Sequence, residues 1–230
     1  MAAAGKSNKS YERNRDESAA MFSNADLKRL IFPLVIEQAL ALTVGMADVM
    51  MVSYAGEAAV SGVSLVDMIN VLLINIFAAL ATGGAVVTAQ YLGARNRKKA
   101  CESADQLMVV TIVISIFIMG LTLVFQRPLL RLFFGAIEDD VMSACITYLW
   151  ISALSYPFLA VYNSCAALFR AMGNSKVSML VSLAMNVINV AGNAFFIFTF
   201  QMGVAGVATA SLISRVAACV IMVVLLSNPG

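Results

Sequence analysis

No histidine occurs anywhere in the 230-residue chain, and its four cysteines, Cys101, Cys145, Cys165 and Cys219, are dispersed without a CxxC spacing. These absences argue against a zinc site and against a disulfide framework. Charge is scarce too: Asp, Glu, Lys and Arg make up 12% of the residues, against 61% hydrophobic. A chain this apolar is an integral membrane protein and not an ordinary soluble domain. No nucleophile and base pair, metal cluster or phosphate-binding loop stands out, and GAR within QYLGARNRKK reads as a turn, so neither an enzyme nor a cofactor is expected. A net charge of +2 gives no reason to expect nucleic-acid binding, because the basic residues are accounted for by orientation in a membrane.

What the sequence does hold is long apolar runs. Measured against the roughly 20 residues that cross a bilayer, they predict six helices near 31–54, 60–91, 104–125, 141–168, 177–200 and 204–226. The expected fold is all-α, a polytopic bundle of six transmembrane helices surrounded by lipid. Residues 1–30 read as a polar cytoplasmic tail, 31–226 as the transmembrane lobe and 227–230 as a cytoplasmic end. Gly83 and Gly84 offer the long second helix a place to bend. Lysines and arginines gather in the tail, at 95–99 after the second span and at Arg170 and Lys176 after the fourth. The opposite side has Arg127 and Arg131 beside the acids 138–140, so the positive-inside rule predicts that both termini face the cytoplasm.

Against this background the polar residues inside the spans carry the functional reading. Asp48 lies well within the first apolar run, where an aspartate costs roughly 2.5–3.5 kcal/mol on insertion scales, so a wet cavity, an ion or a proton is expected to offset it. The fifth span carries Ser182, Asn186, Asn189 and Asn193 at intervals of four, three and four, which sets them on one helical face. Two readings of that stripe stand open: hydrogen bonding between packed helices, or the wall of a hydrated cavity. Helical rise places Asp48 and Asn193 at similar depth, each about 25 Å from the cytoplasmic start of its span. Asp67 and Asn70, one turn apart on the second span, are expected to add a third wall. Tyr156 and Asn163 on the fourth span, with a Pro157 kink between them, are expected along the same path. Arg215, in the middle of the sixth span, needs a partner, and Glu37 on the first is the expected one, forming a structural ion pair.

PLVIEQALALTVGMADVMMVSYAGEAAVSGVSL, GGAVVTAQYLGARNRKKA, LFRAMGNSKVS, MNVINVAGNAFFIF and GVAGVATASLISR, in this order and spacing, resemble the amino-terminal half of a bacterial multidrug and toxic compound extrusion (MATE) transporter. The resemblance covers about residues 26–226. It implies one lobe of a twelve-helix, multi-pass protein of the inner (plasma) membrane that works by alternating access. Drugs or small organic cations leave as protons or sodium ions enter, and Asp48 matches the coupling acid on the first helix. Asn189 and Asn193 fall where many members have an asparagine and then an aspartate, so Asp48, alone or with Asp67, is expected to bear the ionisable role. The family's carboxy-terminal lobe does not follow within the 230 residues, so a partner lobe or a second copy is expected to complete the pathway. Two alternatives stand beside this reading: a lipid-linked precursor flippase of the same superfamily, which would want several cationic side chains where the spans offer Arg215, and a non-transporting fragment.

Overall fold

The computed structural model describes residues 24–227, so most of the expected tail and of the short carboxy-terminal end lies outside the described residues. Helix α1 (Asn24–Val52) leads through a short 3-10 turn into α2 (Glu57–Gly93), and α3 (Arg97–Val124) follows. A brief α4 (Gln126–Phe134) precedes α5 (Asp139–Leu154) and α6 (Tyr156–Ala171); α7 (Ser175–Ala194) continues as a π-helical turn, and α8 (Gly203–Ser227) closes the bundle. Five helical segments are long and apolar enough to span a membrane, and the pair α5 and α6, bent by 49°, makes the sixth. The all-α, six-span bundle is therefore as expected.

Three details differ from the expectation. The second span does not break at its glycines: α2 is continuous over 37 residues, about 55 Å at helical rise, and must tilt or extend past the hydrocarbon. Gly84 serves packing instead, because a Cβ there would lie 2.4 Å from Leu107 Cδ1 on α3. The bend in the fourth span falls at Ser155, two residues before Pro157, which sits in the first turn of α6. A proline in that position forfeits little, since amides of a first turn lack helical acceptors anyway. Finally, α4 was not anticipated. It buries Leu130 completely and exposes Arg127, Arg131 and Leu132, the one-sided pattern of a helix lying along the end of the bundle.

Helix α6 is the most enclosed element, with Tyr156, Ala160, Tyr162, Cys165 and Ala166 buried between α2, α3, α7 and α8. Small residues permit close approach where it matters: at Gly192 of α7 a Cβ would come within 2.9 Å of the Ala210 Cβ of α8. Helix α1 is the reverse case. It packs chiefly on α7, and Ile31, Phe32, Leu42, Met46 and Met50 remain exposed. The antiparallel passes bring the beginning of α1, the α2–α3 turn, the end of α6, the start of α7 and the end of α8 to one end of the bundle. That end carries Arg95, Arg97, Lys98, Lys99, Arg170 and Lys176 and is called the basic end below.

Candidate functional site

Helices α1, α7 and α8 meet through side chains that lipid would not accommodate. Asn193 Nδ2 donates to Asp48 Oδ1 at 2.5 Å and to Asn189 Oδ1 at 3.3 Å, and Asn189 Nδ2 donates to Ser211 Oγ at 3.0 Å. The three-helix contact is made possible by the stripe spacing on α7, which points both asparagines inward, and by Gly192, which draws α8 close enough for Ser211 to reach. Asn193 is fully buried and Asn189 nearly so, while Asp48 is half-buried. The depth argument from sequence thus ends in a direct contact between Asp48 and Asn193. One atom remains without a partner: Asn193 Oδ1 is buried and accepts no hydrogen bond.

A second polar group adjoins the first. Asp67 Oδ1 accepts from Asn70 Nδ2 at 3.2 Å and from the Tyr148 hydroxyl at 3.0 Å, and Asn70 Oδ1 accepts from the Tyr156 hydroxyl at 2.9 Å. Asp48 and Asp67 are near enough to repel each other, and Arg215 is near enough to attract both. The guanidinium does not close onto either carboxylate; its Nη1 donates to Ser155 Oγ at 2.6 Å, at the break in the fourth span. Asp48 is therefore not locked to a basic side chain among the described residues.

The expected pair of Glu37 with Arg215 is not formed. Glu37 Oε1 lies 3.8 Å from Arg170 Nη1, and Ser178 joins the two, accepting from Arg170 at 3.0 Å and donating to Glu37 Oε2 at 3.0 Å. The reason is packing order: α1 lies along α7, which turns Glu37 toward the start of α7 and the end of α6, while Arg215 faces the bend at Ser155. Neither Asn186 nor Asn163 hydrogen-bonds to Asp48 among the described residues. Each has a buried Nδ2 with no hydrogen-bond partner. Ser211 and Tyr148 are the site residues that sequence reading missed. Ser211 is a small hydroxyl in an alanine-rich stretch and carries no signal of its own, whereas Tyr148 has Ser152 and Ser155 four and seven residues on, a polar spacing that could have found it.

Comparison with known proteins gives a consistent set of likenesses. A family model described as MatE matches residues 33–195. The chain is 31% identical over 218 residues to the uncharacterized transporter YisQ of Bacillus subtilis, covering 93% of this chain and 46% of that one. It is 26% identical over 197 residues to the probable multidrug resistance protein NorM of Thermotoga maritima, covering 83% of this chain and 41% of that one. Among solved structures, an outward-facing multidrug resistance MATE family transporter of the MOP superfamily aligns with a TM-score of 0.82 at 22% identity, over 87% of this chain and 44% of that one. That last likeness is one of fold. The chain spans less than half the length of the curated relatives it matches.

Proposed function

Because the chain belongs to the MatE family, we propose that it forms one lobe of a cation-coupled exporter in which Asp48 holds the coupling ion. The observation that carries this reading is the pairing of Asp48 with Asn193, whose Oδ1 is buried and unsatisfied. Either coupling ion supplies what that oxygen lacks. A proton on Asp48 creates a donor beside it. A sodium ion prefers oxygen ligands and would draw on the carboxylate, Asn193 Oδ1 and the oxygens of Asn189 and Ser211. An empty site leaves an ionised acid and an orphaned carbonyl in a low-dielectric interior, and an occupied one does not. Occupancy therefore shifts the balance between inward-open and outward-open forms by differential affinity.

The remaining parts follow from the same reading. The basic end faces the cytoplasm, by the positive-inside rule. Relatives named for multidrug resistance or export support small organic cations as cargo. Asp67, Asn70 and Tyr156 line the path such a cation takes, with Arg215 limiting how much negative charge that path presents. A second six-helix lobe, covalent or separate, faces this one across the cleft.

The test is Asp48→Asn in the full-length transporter. The amide keeps an acceptor for Asn193 but binds no proton and holds sodium poorly, so the variant should insert normally and lose ion-driven efflux of a fluorescent organic cation from proteoliposomes. Efflux at the wild-type rate would overturn the proposal.

A further inference from the structure

The polar face of α7 does not end at the residues around Asp48. Below Asn193, Asn189 and Asn186 it continues through Ser182, Ser178 and Ser175, at steps of four, four and three, and all six residues are buried. A helix packed in a membrane for stability alone has little reason to enclose a polar side chain at every turn from one end to the other. Ser175 Oγ at the far end has no partner, but Asn193 is hydrogen-bonded to Asp48 and Ser178, one turn before that end, to Glu37 and Arg170. The middle is not. Asn186 Nδ2 has no partner, and the Tyr162 hydroxyl approaches Ser182 without completing a hydrogen bond.

Leaving such groups unsatisfied costs about 1–3 kcal/mol each, and buried polar groups in this situation hold water when several of them surround one space. Asn186, Ser182 and Tyr162 supply an amide and two hydroxyls on facing sides of α6 and α7, so the unsatisfied stretch keeps polar atoms free to bind a passing ion or its water. Together with the contacts of Asn193 and Ser178, these side chains make a buried polar line, one residue per turn, from Asp48, in the half of the bundle away from the basic end, to Glu37 near the basic end. The line runs inside the lobe, between α1, α6 and α7.

We propose that this α7 column is the route by which a small monovalent cation leaves Asp48 for the basic end, through the interior of the lobe and separately from the path of the organic substrate. Glu37, Ser178 and Arg170 form its mouth. The ion pair closes the mouth in this structure, and Glu37 is the acid that receives the ion when the pair opens. Intramembrane acids joined by polar side chains are the usual components of such relays. The inference rests on Asp48 being the coupling group, and deepens that reading by assigning the exit of the ion.

The experiment uses the full-length transporter in proteoliposomes. Asn186→Leu keeps the side-chain size and removes the polar atoms; it should leave equilibrium binding of the coupling ion intact and slow ion-driven turnover by about tenfold, the effect of a barrier raised by ~1.4 kcal/mol. Asn186→Thr restores a hydroxyl and should restore most of the rate. Turnover unchanged in the leucine variant, or equally slow in the threonine variant, overturns the column. If the leucine variant does not fold, Ser182→Cys in a background free of other cysteines decides: silver ion added from the basic side should inactivate it, and resistance overturns the proposal. Running the assays at varied pH without sodium, and with sodium at fixed pH, separates proton from sodium as the ion. Asp48→Asn serves as the reference. Loss of coupling there with a normal rate in Asn186→Leu defeats the column alone, whereas efflux retained in Asp48→Asn defeats the coupling assignment itself.

Discussion

Arg215 sits where two carboxylates attract it, yet its hydrogen bond goes to the hydroxyl of Ser155. That placement leaves Asp48 available to a mobile cation while still offsetting part of the negative charge of Asp48 and Asp67. Arg215→Leu should therefore destabilise the protein. A hydrogen bond made by a charged group contributes about 1.5–3 kcal/mol, and the thermal midpoint in detergent should fall by about 2–4 °C for each kcal/mol lost. Arg215→Lys retains the charge and should lose less; equal midpoints for wild type and the leucine variant would show that the guanidinium contributes nothing net. At this scale the sequence was half legible. Asp48, Asn189 and Asn193 were recognisable because an acid and amides in apolar runs are costly unless they meet, and helical spacing told which way the asparagines point. The partner of Glu37 was not legible, since periodicity says which face a residue occupies but not which helix lies against that face. Hydroxyls were the hardest: Ser211 and Tyr148 are cheap to carry in a span, so their cost does not single them out as that of Asp48 does.

Elements were legible in proportion to their length. Long apolar runs marked six spans to within three residues, except that the first and third helices each begin seven residues earlier than expected, whereas α4 has nine residues and mixed polarity, too short to show a period beside its neighbours. The bend in the fourth span was foreseen from Pro157, but its position two residues earlier follows from the proline taking a first-turn place in α6. Glycines were misread in the second span because sequence does not separate a hinge from a contact. The distinction is testable by adding one methyl group. Gly192→Ala pushes a Cβ to 2.9 Å from the Cβ of Ala210, an atom that cannot rotate away; overpacking of this kind costs about 1–3 kcal/mol. Gly83→Ala meets nothing within 4 Å and gains helix propensity of up to ~1 kcal/mol. The first variant should melt lower than wild type in detergent and the second at the same temperature or higher. A reversed order would mean that the α7–α8 approach is looser than the geometry indicates.

Across the whole molecule, the acid central to the proposed function rides on the least enclosed helix. Helix α1 has an exposed apolar face and relies on α7, to which it is tied by Asp48 with Asn193 and by Glu37 with Ser178, the second contact extending to Arg170 at the end of α6. Their positions on α1 differ by eleven residues, a separation of about 16 Å along the helix, so together they resist rotation and splaying in a way that one contact would not. Removing the charge at the lower tie should loosen α1 while leaving the other helices in place. Glu37→Gln keeps an oxygen to accept from Ser178 but no longer attracts Arg170. Spin labels at Leu42 and Leu183, both on exposed faces of the two helices, should report a broader or longer distance distribution in Glu37→Gln, with the thermal midpoint lowered by no more than the ~1 kcal/mol typical of a partly exposed ion pair. Asp48→Asn alone, which preserves the contact to Asn193, should leave the distribution narrow. A narrow distribution in Glu37→Gln would instead mean that apolar packing along α7 holds α1, and that opening the mouth of the column needs no movement of the helix carrying Asp48.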